Sequence, residues 1–67
     1  MKIFCERLKE LKEEQKISTK KLSEVLNVNR STIVRWENGD IVPSIDHLYN
    51  IATFFGVSAD YLIGLED

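Results

Sequence analysis

The sequence has a single cysteine, a single proline and no long apolar run. Because Cys5 is alone, an internal disulfide is excluded, and we expect the reducing environment of the cytoplasm. A membrane-spanning helix requires about 20 consecutive apolar residues, which no stretch of the chain provides. Charged Glu6 and Arg7 follow closely on the first apolar residues, so no signal peptide is expected. The 67 residues are predicted to form one domain, residues 1–67.

Groups that carry catalysis or bind metals are equally scarce. His47 is the only histidine, and its neighbours Ser44 and Asp46 stand at the predicted start of a helix, where capping accounts for both. Cys5 and His47 supply at most two metal ligands, fewer than the four of a structural zinc site. We therefore expect no enzymatic activity, no metal site and no cofactor.

Positive charge is missing from the second half of the chain. Residues 36–67 hold six acids and no Lys or Arg, whereas residues 1–35 hold all nine Lys and Arg with five Glu. The net charge of -2 therefore conceals a basic face and an acidic face, of which only the basic one suits a polyanion. Ordinary solvated charge on helix surfaces explains the distribution equally well when charge is considered alone.

Five short helices are predicted from apolar residues at helical spacing and from capping residues. The first covers residues 2 to 16. The residues expected to begin or end the later helices are Ser18, Asn27, Asn29, Gly39, Ser44, Gly56 and Ser58. The residues expected to face inward from the first, second and fourth helices are Phe4, Leu8, Leu11, Leu22, Val25, Leu26, Ile45, Leu48, Ile51, Ala52 and Phe55.

The stretch NRSTIVRWENGD, residues 29 to 40, is predicted to form a third helix with two different faces. At about 100° per residue, one face points inward, and its residues are Asn29, Ile33, Trp36 and Glu37. The opposite face is rich in hydrogen-bond donors and carries no acid, and its residues are Arg30, Ser31, Val34, Arg35 and Asn38.

A donor-rich face of this kind suits the major groove of double-stranded DNA, which admits one helix and presents guanine acceptors to arginine. A helix that follows another after a short turn, as at Asn27 to Asn29, lays its N-terminal residues on base edges. Val34 supports this interpretation, since an aliphatic group can contact a thymine methyl. A solvated helix face is the alternative that this helix alone leaves open.

Four segments carry a family resemblance: RLKELKEEQKIS, KKLSEVLNVNRSTIVRWENG, PSIDHLYNIATFFGVS and DYLIGL. Together they resemble the lambda-repressor-like helix-turn-helix family, also called Cro or XRE type, over nearly the whole chain. The resemblance implies an all-α, five-helix DNA-binding domain whose helix-turn-helix is formed by helices 2 and 3. Members of the family are usually repressors or activators that act as dimers.

The resemblance also implies which residues contact DNA. It places base reading on Arg30, Ser31 and Arg35, and contacts with the DNA backbone on Thr19 and Asn38. Lys20 and Lys21 stand early in the second helix, where they are expected to contact phosphates. The complete set of predicted DNA-binding residues is Thr19, Lys20, Asn29, Arg30, Ser31, Thr32, Arg35 and Asn38.

Glu37 is expected to form a structural ion pair. A partly buried carboxylate requires a cation, and the resemblance nominates Lys12, which stands where many relatives have arginine. A solvent-exposed Glu37 is the alternative. The sequence departs from the family pattern at Thr19, where relatives commonly have glutamine, and at residues 40 to 42, where a loop that is often basic contains Asp40.

We expect a sequence-specific, double-stranded DNA-binding transcriptional regulator that acts as a homodimer on a roughly palindromic operator; of the two directions of regulation that the sequence leaves open, repression is our interpretation. Ile63 and Leu65 extend an apolar edge beyond what five helices need and are predicted to form the dimer interface. The length leaves no room for a sensor domain, so control is expected from protein level, operator competition or a regulatory protein partner. An antitoxin-like or other protein-interaction module of the same fold, with secondary DNA binding, is the alternative that the acidic second half favours.

Overall fold

A computed structural model describes residues 1–67 as five α-helices without a β-strand. The helices are α1 (Lys2–Gln15), α2 (Thr19–Leu26), α3 (Arg30–Asn38), α4 (Ile45–Phe55) and α5 (Ala59–Ile63). The predicted all-α fold with five helices is therefore confirmed. None of the five combines the length and the apolar character that crossing a lipid bilayer demands.

Serine side chains fix the starts of three helices. The hydroxyls of Ser18, Ser44 and Ser58 each accept a hydrogen bond from the backbone N–H three residues further along the chain. Each bond satisfies one of the N–H groups that lack an acceptor in the first turn of a helix. The predicted starts of α2, α4 and α5 are thus confirmed.

The turn between α2 and α3 sets the direction in which α3 leaves α2. Asn27 adopts a left-handed conformation with φ of 57°, which ends α2. The backbone N–H of Val28 then donates to the carbonyl of Ser23 at 3.1 Å, as in a Schellman motif. Val28 packs against the core, so the turn is held by both a hydrogen bond and an apolar contact.

The core is formed by one cluster of buried apolar residues to which all five helices contribute. Trp36 is the largest fully buried side chain. α1 packs against both α3 and α5, while α2 packs against α3 and α4. The cluster consists of Phe4, Leu8, Leu11, Leu22, Leu26, Ile33, Trp36, Ile51, Ala52, Phe55 and Leu62.

Two residues that are expected to face inward are exposed, and for these the prediction is wrong. Val25 is 43% exposed, because the buried arc of α2 runs through Leu22, Leu26 and Ser23 and leaves Val25 beyond its edge. Ile45 is 85% exposed. Ile45 is the first residue of α4 and lies outside the covered part of the helix, whereas His47 and Leu48 in the same turn are already half-buried.

Asn29 also differs from its expected placement. It stands at the N-cap position of α3, as predicted, but its side chain makes no capping hydrogen bond and is exposed rather than directed inward. Its backbone is extended, with φ of -70° and ψ of 148°. The rotation of about 100° per residue holds only for helical backbone, so it does not apply to this residue.

Candidate nucleic-acid interface

The two faces of α3 have opposite environments. Ile33 and Trp36 are fully buried. The opposite face is exposed and consists of Arg30, Ser31, Val34, Arg35 and Asn38. Neither arginine takes part in an ion pair within the chain, so both guanidinium groups are available to an external ligand.

The back of α3 is held in place by contacts from two other helices. The thiol of Cys5 lies between two backbone carbonyls, with Sγ 3.1 Å from the oxygen of Trp36 and 3.1 Å from that of Met1, and its single proton can be donated to either. The ring of His47 packs against the Trp36 indole, with centroids 5.4 Å apart. Cys5 and His47 therefore serve α3 as packing partners from α1 and α4, respectively. These contacts fix the helix axis, and with it the direction of the outward side chains.

Lys12 joins α1 to both helices of the α2–α3 unit. Its ammonium nitrogen lies 2.9 Å from Oε2 of Glu37 on α3 and 2.6 Å from Oγ1 of Thr19 on α2. The side chains of Lys12 and Glu37 are only 13% and 15% exposed. The structure thus brings together the two residues that the family resemblance pairs. The second contact, with Thr19, is one that the sequence does not indicate.

The start of α2 is part of this junction, because Thr19 is the first residue of that helix. Thr19 is half-buried, whereas Lys20 and Lys21 are exposed. As the first two residues of the helix, Thr19 and Lys20 have backbone N–H groups without an intrahelical acceptor. The end of α2 that is expected to contact phosphates therefore combines two free lysines, two unpaired amides and one hydroxyl.

Lys2 and Lys9 are cations near α3 that the sequence reasoning missed. Both are exposed, and both border a depression that also contains Asn38, Gly39 and two acids, Glu6 and the Lys12-paired Glu37. The spacing of three and four residues along Lys2, Cys5, Lys9 and Lys12 could have revealed them, because it places all four on one stripe of α1. This stripe flanks the C-terminal end of α3.

The loop after α3 supplies no cation to this surface. Asp40 is exposed, Ile41 packs against the core, and Val42 is 61% exposed. A DNA-facing surface on this chain therefore relies on cations from α1, α2 and α3 alone.

The two residues expected at the dimer interface lie in different surroundings. Ile63 is half-buried and lines an apolar cavity together with Met1, Phe4 and Leu48, whereas Leu65 is 73% exposed.

Arg7 determines the course of the C-terminal residues, for which no sequence pattern provides a prediction. Its guanidinium donates to the backbone carbonyls of Tyr61 and Glu66, in the latter case at 2.7 Å, and lies 4.2 Å from the centre of the Tyr61 ring. The Ser58 hydroxyl adds a hydrogen bond to the Glu66 carboxylate. Residues 64 to 67 are therefore folded back towards α1 and α5.

An apolar groove on α4 is a further feature that the sequence does not predict. Tyr49 is 68% exposed and lies one turn after the exposed Ile45. The residues lining the groove are Ile45, Leu48, Tyr49, Ala52, Thr53, Val57, Ser58 and Ala59. None of them is charged, and no Lys or Arg occurs anywhere in residues 36–67.

Comparison with known proteins gives one family match and two curated relatives. A family model described as Helix-turn-helix matches residues 8–62. The chain is similar to an uncharacterized HTH-type transcriptional regulator, YobD, of Bacillus subtilis, with 31% identity over 65 residues, 97% of this chain and 58% of that protein. It is also similar to the HTH-type transcriptional activator BcrR of Enterococcus faecalis, with 34% identity over 64 residues, 96% of this chain and 31% of that protein.

The chain therefore spans 58% and 31% of the lengths of these two relatives. No solved structure matches the chain.

Proposed function

The chain belongs to the helix-turn-helix family, in its lambda-repressor-like, Cro or XRE, branch, and on this premise we propose that it is a sequence-specific, double-stranded DNA-binding transcriptional regulator. The family is one of non-enzymatic regulators. The observation that carries the proposal is the outward face of α3, which exposes two unpaired arginines and no acid.

In the proposed complex, α3 enters the major groove and reads base edges. Arg35 lies in the middle of the exposed face, where its guanidinium can donate two hydrogen bonds to the O6 and N7 acceptors of a guanine. Arg30 and Ser31 contact neighbouring bases from the first turn. The remaining DNA contacts come from the N-terminal end, the side and the C-terminal end of α3, through Asn29, Thr32 and Asn38, respectively.

Contacts with the DNA backbone come from the elements beside α3. The backbone of one DNA strand is bound at the start of α2 by Thr19, Lys20 and Lys21, where the unpaired amides add donors. Lys2 and Lys9 flank Asn38 at the other end of α3. In this proposal they replace the cations that the loop of residues 40 to 42 lacks.

We further propose that two copies of the chain bind a roughly palindromic operator. Two-fold symmetry places their α3 helices about 34 Å apart, one turn of DNA. The exposed Leu65 and the half-buried Ile63 are the residues that we assign to this interface. Apolar surface exposed in this way is typical of regions that bind another protein.

Repression is the proposed outcome of binding, because a chain that occupies an operator can block transcription with its DNA-reading surface alone. BcrR is named as an activator, so the direction of regulation has to be measured for this chain. A reporter gene placed downstream of the selected operator decides it. Reporter output that rises when the chain is expressed contradicts repression.

A protein-interaction module with secondary DNA binding is the second candidate. The observation that favours it is the uncharged groove on α4, with Ile45 and Tyr49 largely exposed. Because residues 36–67 contain no Lys or Arg, this half of the molecule has no electrostatic attraction for DNA. A partner that binds through residues 40–67 and leaves α3 free supports this candidate.

Selection of binding sites from a random duplex library tests the main proposal. The full chain is expected to enrich one symmetric motif, with an affinity that falls steeply as salt rises. Asn50→Ala, on the exposed side of α4, is the control that leaves the motif unchanged. If no motif is enriched above the input library, the proposed function is wrong.

A further inference from the structure

We propose that Lys12 is a positioning residue for DNA binding, which orients the Thr19 hydroxyl so that its proton points towards a backbone phosphate. The proposal rests on the proposed function and extends it by stating how one phosphate contact is built. Lys12 therefore has a second role besides its ion pair with Glu37.

The protonation of the two groups fixes the direction of the Lys12 to Thr19 hydrogen bond. A lysine ammonium has three donors and no acceptor. In the 2.6 Å contact, Thr19 Oγ1 must therefore accept, and the hydroxyl proton cannot point towards Lys12. Thr19 has no other side-chain hydrogen bond within the chain, so its proton is left for an external acceptor.

Lys12 can orient Thr19 because it is itself held in place. Its ammonium is bound at 2.9 Å by Glu37, and its side chain is only 13% exposed. A lysine on an open surface samples many rotamers, whereas this one has given up most of that freedom before any ligand binds. A hydroxyl bonded to a fixed cation is likewise a preorganised donor, which lowers the entropic cost of binding a phosphate.

The position of Thr19 makes a phosphate the matching acceptor. Thr19 is the first residue of α2 and is followed by the exposed Lys20 and Lys21. An acceptor that reaches the hydroxyl therefore lies at the end of α2 that also carries two exposed cations. A phosphate oxygen of the DNA backbone satisfies both the hydroxyl and these charges.

Fluorescence anisotropy with the selected operator duplex tests the proposal at one salt concentration. Thr19→Val removes the hydroxyl at nearly constant volume and is expected to weaken binding roughly tenfold, as for the removal of a hydrogen bond to a charged group. Thr19→Ser keeps the hydroxyl and is expected to restore binding to near the wild-type level. Binding by Thr19→Val equal to that of the wild type overturns the proposal.

A double-mutant cycle separates positioning from mere structural support. Lys12→Met should weaken binding, and adding Thr19→Val to it should weaken binding no further, because the hydroxyl is no longer oriented. If the double variant weakens binding by the product of the two single-variant factors, Lys12 does not act through Thr19. If Lys12→Met alone does not fold, Glu37→Gln is added to every arm of the cycle, so that no unpaired carboxylate is left partly buried. Circular dichroism confirms that each variant is folded at the assay temperature.

The same assay distinguishes the failure of this proposal from failure of the proposed function. If the wild-type chain binds no duplex, the proposed function is wrong. If the wild type binds and Thr19→Val binds equally well at that salt concentration, only the role of Lys12 and Thr19 is wrong.

Discussion

The ammonium nitrogen of Lys12 and a carboxylate oxygen of Glu37 lie 2.9 Å apart and are largely shielded from solvent. This pair joins α1 to the helix that carries both outward arginines. Removing the carboxylate leaves the ammonium without its counter-charge in a partly desolvated position. The energetic cost is therefore larger than for a pair at the surface.

We predict that Glu37→Ala destabilises the fold by about 2 to 3 kcal/mol, more than the at most about 1 kcal/mol of an exposed pair. Urea unfolding of Glu37→Ala, Lys12→Ala and the double variant gives the coupling energy. The expected coupling is at least about 1 kcal/mol. Additive effects of the two substitutions contradict a stabilising pair.

The second prediction concerns the reading of bases. Arg35→Ala should cost about 1 to 3 kcal/mol of binding free energy at the best site and relax the preference at one base pair in each half-site. Binding-site selection with the variant measures both effects. A selected motif identical to that of the wild type means that Arg35 does not read a base.

The third prediction concerns the lysines at the start of α2, which are proposed to contact phosphates, whereas Arg35 is proposed to read a base. Lys20→Ala or Lys21→Ala should weaken binding to all sequences alike. Each should also reduce the slope of log affinity against log salt by about one unit for every phosphate that the lysine neutralises. Titrations at several salt concentrations, with specific and random duplexes, provide the test. A lysine variant that selects a different motif shows that the assignment of the two surfaces is wrong.

The fourth prediction concerns the number of chains on the operator. Sedimentation of the chain with operator duplex should show two chains per site. Leu65→Asp should reduce this to one without lowering stability, because Leu65 is 73% exposed. Asn50→Asp adds the same charge on the exposed side of α4 and serves as the control. A one-to-one complex of the wild-type chain excludes the proposed dimer.

The fifth prediction compares two glycines that end helices in the left-handed conformation. Gly56 and Gly64 have φ of 72° and 88°, so alanine at either should cost about 1 kcal/mol in backbone strain. A Cβ at Gly56 has no neighbour within 4 Å, whereas a Cβ at Gly64 lies 3.2 Å from the side chain of Ile3. Gly64→Ala should therefore destabilise the fold more. Equal midpoints in urea unfolding contradict this order.

The parts of the fold that are predicted correctly from the sequence depend on local chemistry. A serine hydroxyl caps the N–H three residues further on, and Asn27 or Gly56 ends a helix, through contacts within one turn. The burial of Ile33 and Trp36 also follows from local periodicity, since one face of a short helix has to cover the core.

The placement of Val25 and Ile45 depends instead on how much of each helix is covered by its neighbours. Periodicity gives the angle of a side chain about its own helix axis, but not the length over which another helix covers it. On α2 the covered arc stops short of Val25, and on α4 the first residue, Ile45, lies outside the covered part although His47 and Leu48 are already half-buried. A prediction from periodicity treats every residue of an apolar stripe as equally buried, and this explains both errors.

Side-chain contacts between distant residues are the least accessible to prediction. The Lys12 to Glu37 pair is indicated only by the family resemblance. The hydrogen bonds from Arg7 to the carbonyls of Tyr61 and Glu66 span more than fifty residues, and no local pattern in the sequence indicates them. Such contacts depend on the relative position of two whole helices.

The hydrogen bonds of Arg7 have a consequence for the cooperativity of the molecule. α5 has five residues, too few to persist as a helix without tertiary contacts. Its packing on α1, together with the hydrogen bonds from Arg7, makes the C-terminal helix dependent on the N-terminal one. The amide of Leu62 should therefore exchange with solvent through the same opening event as that of Leu8, so that the first and last helices form a single cooperative unit.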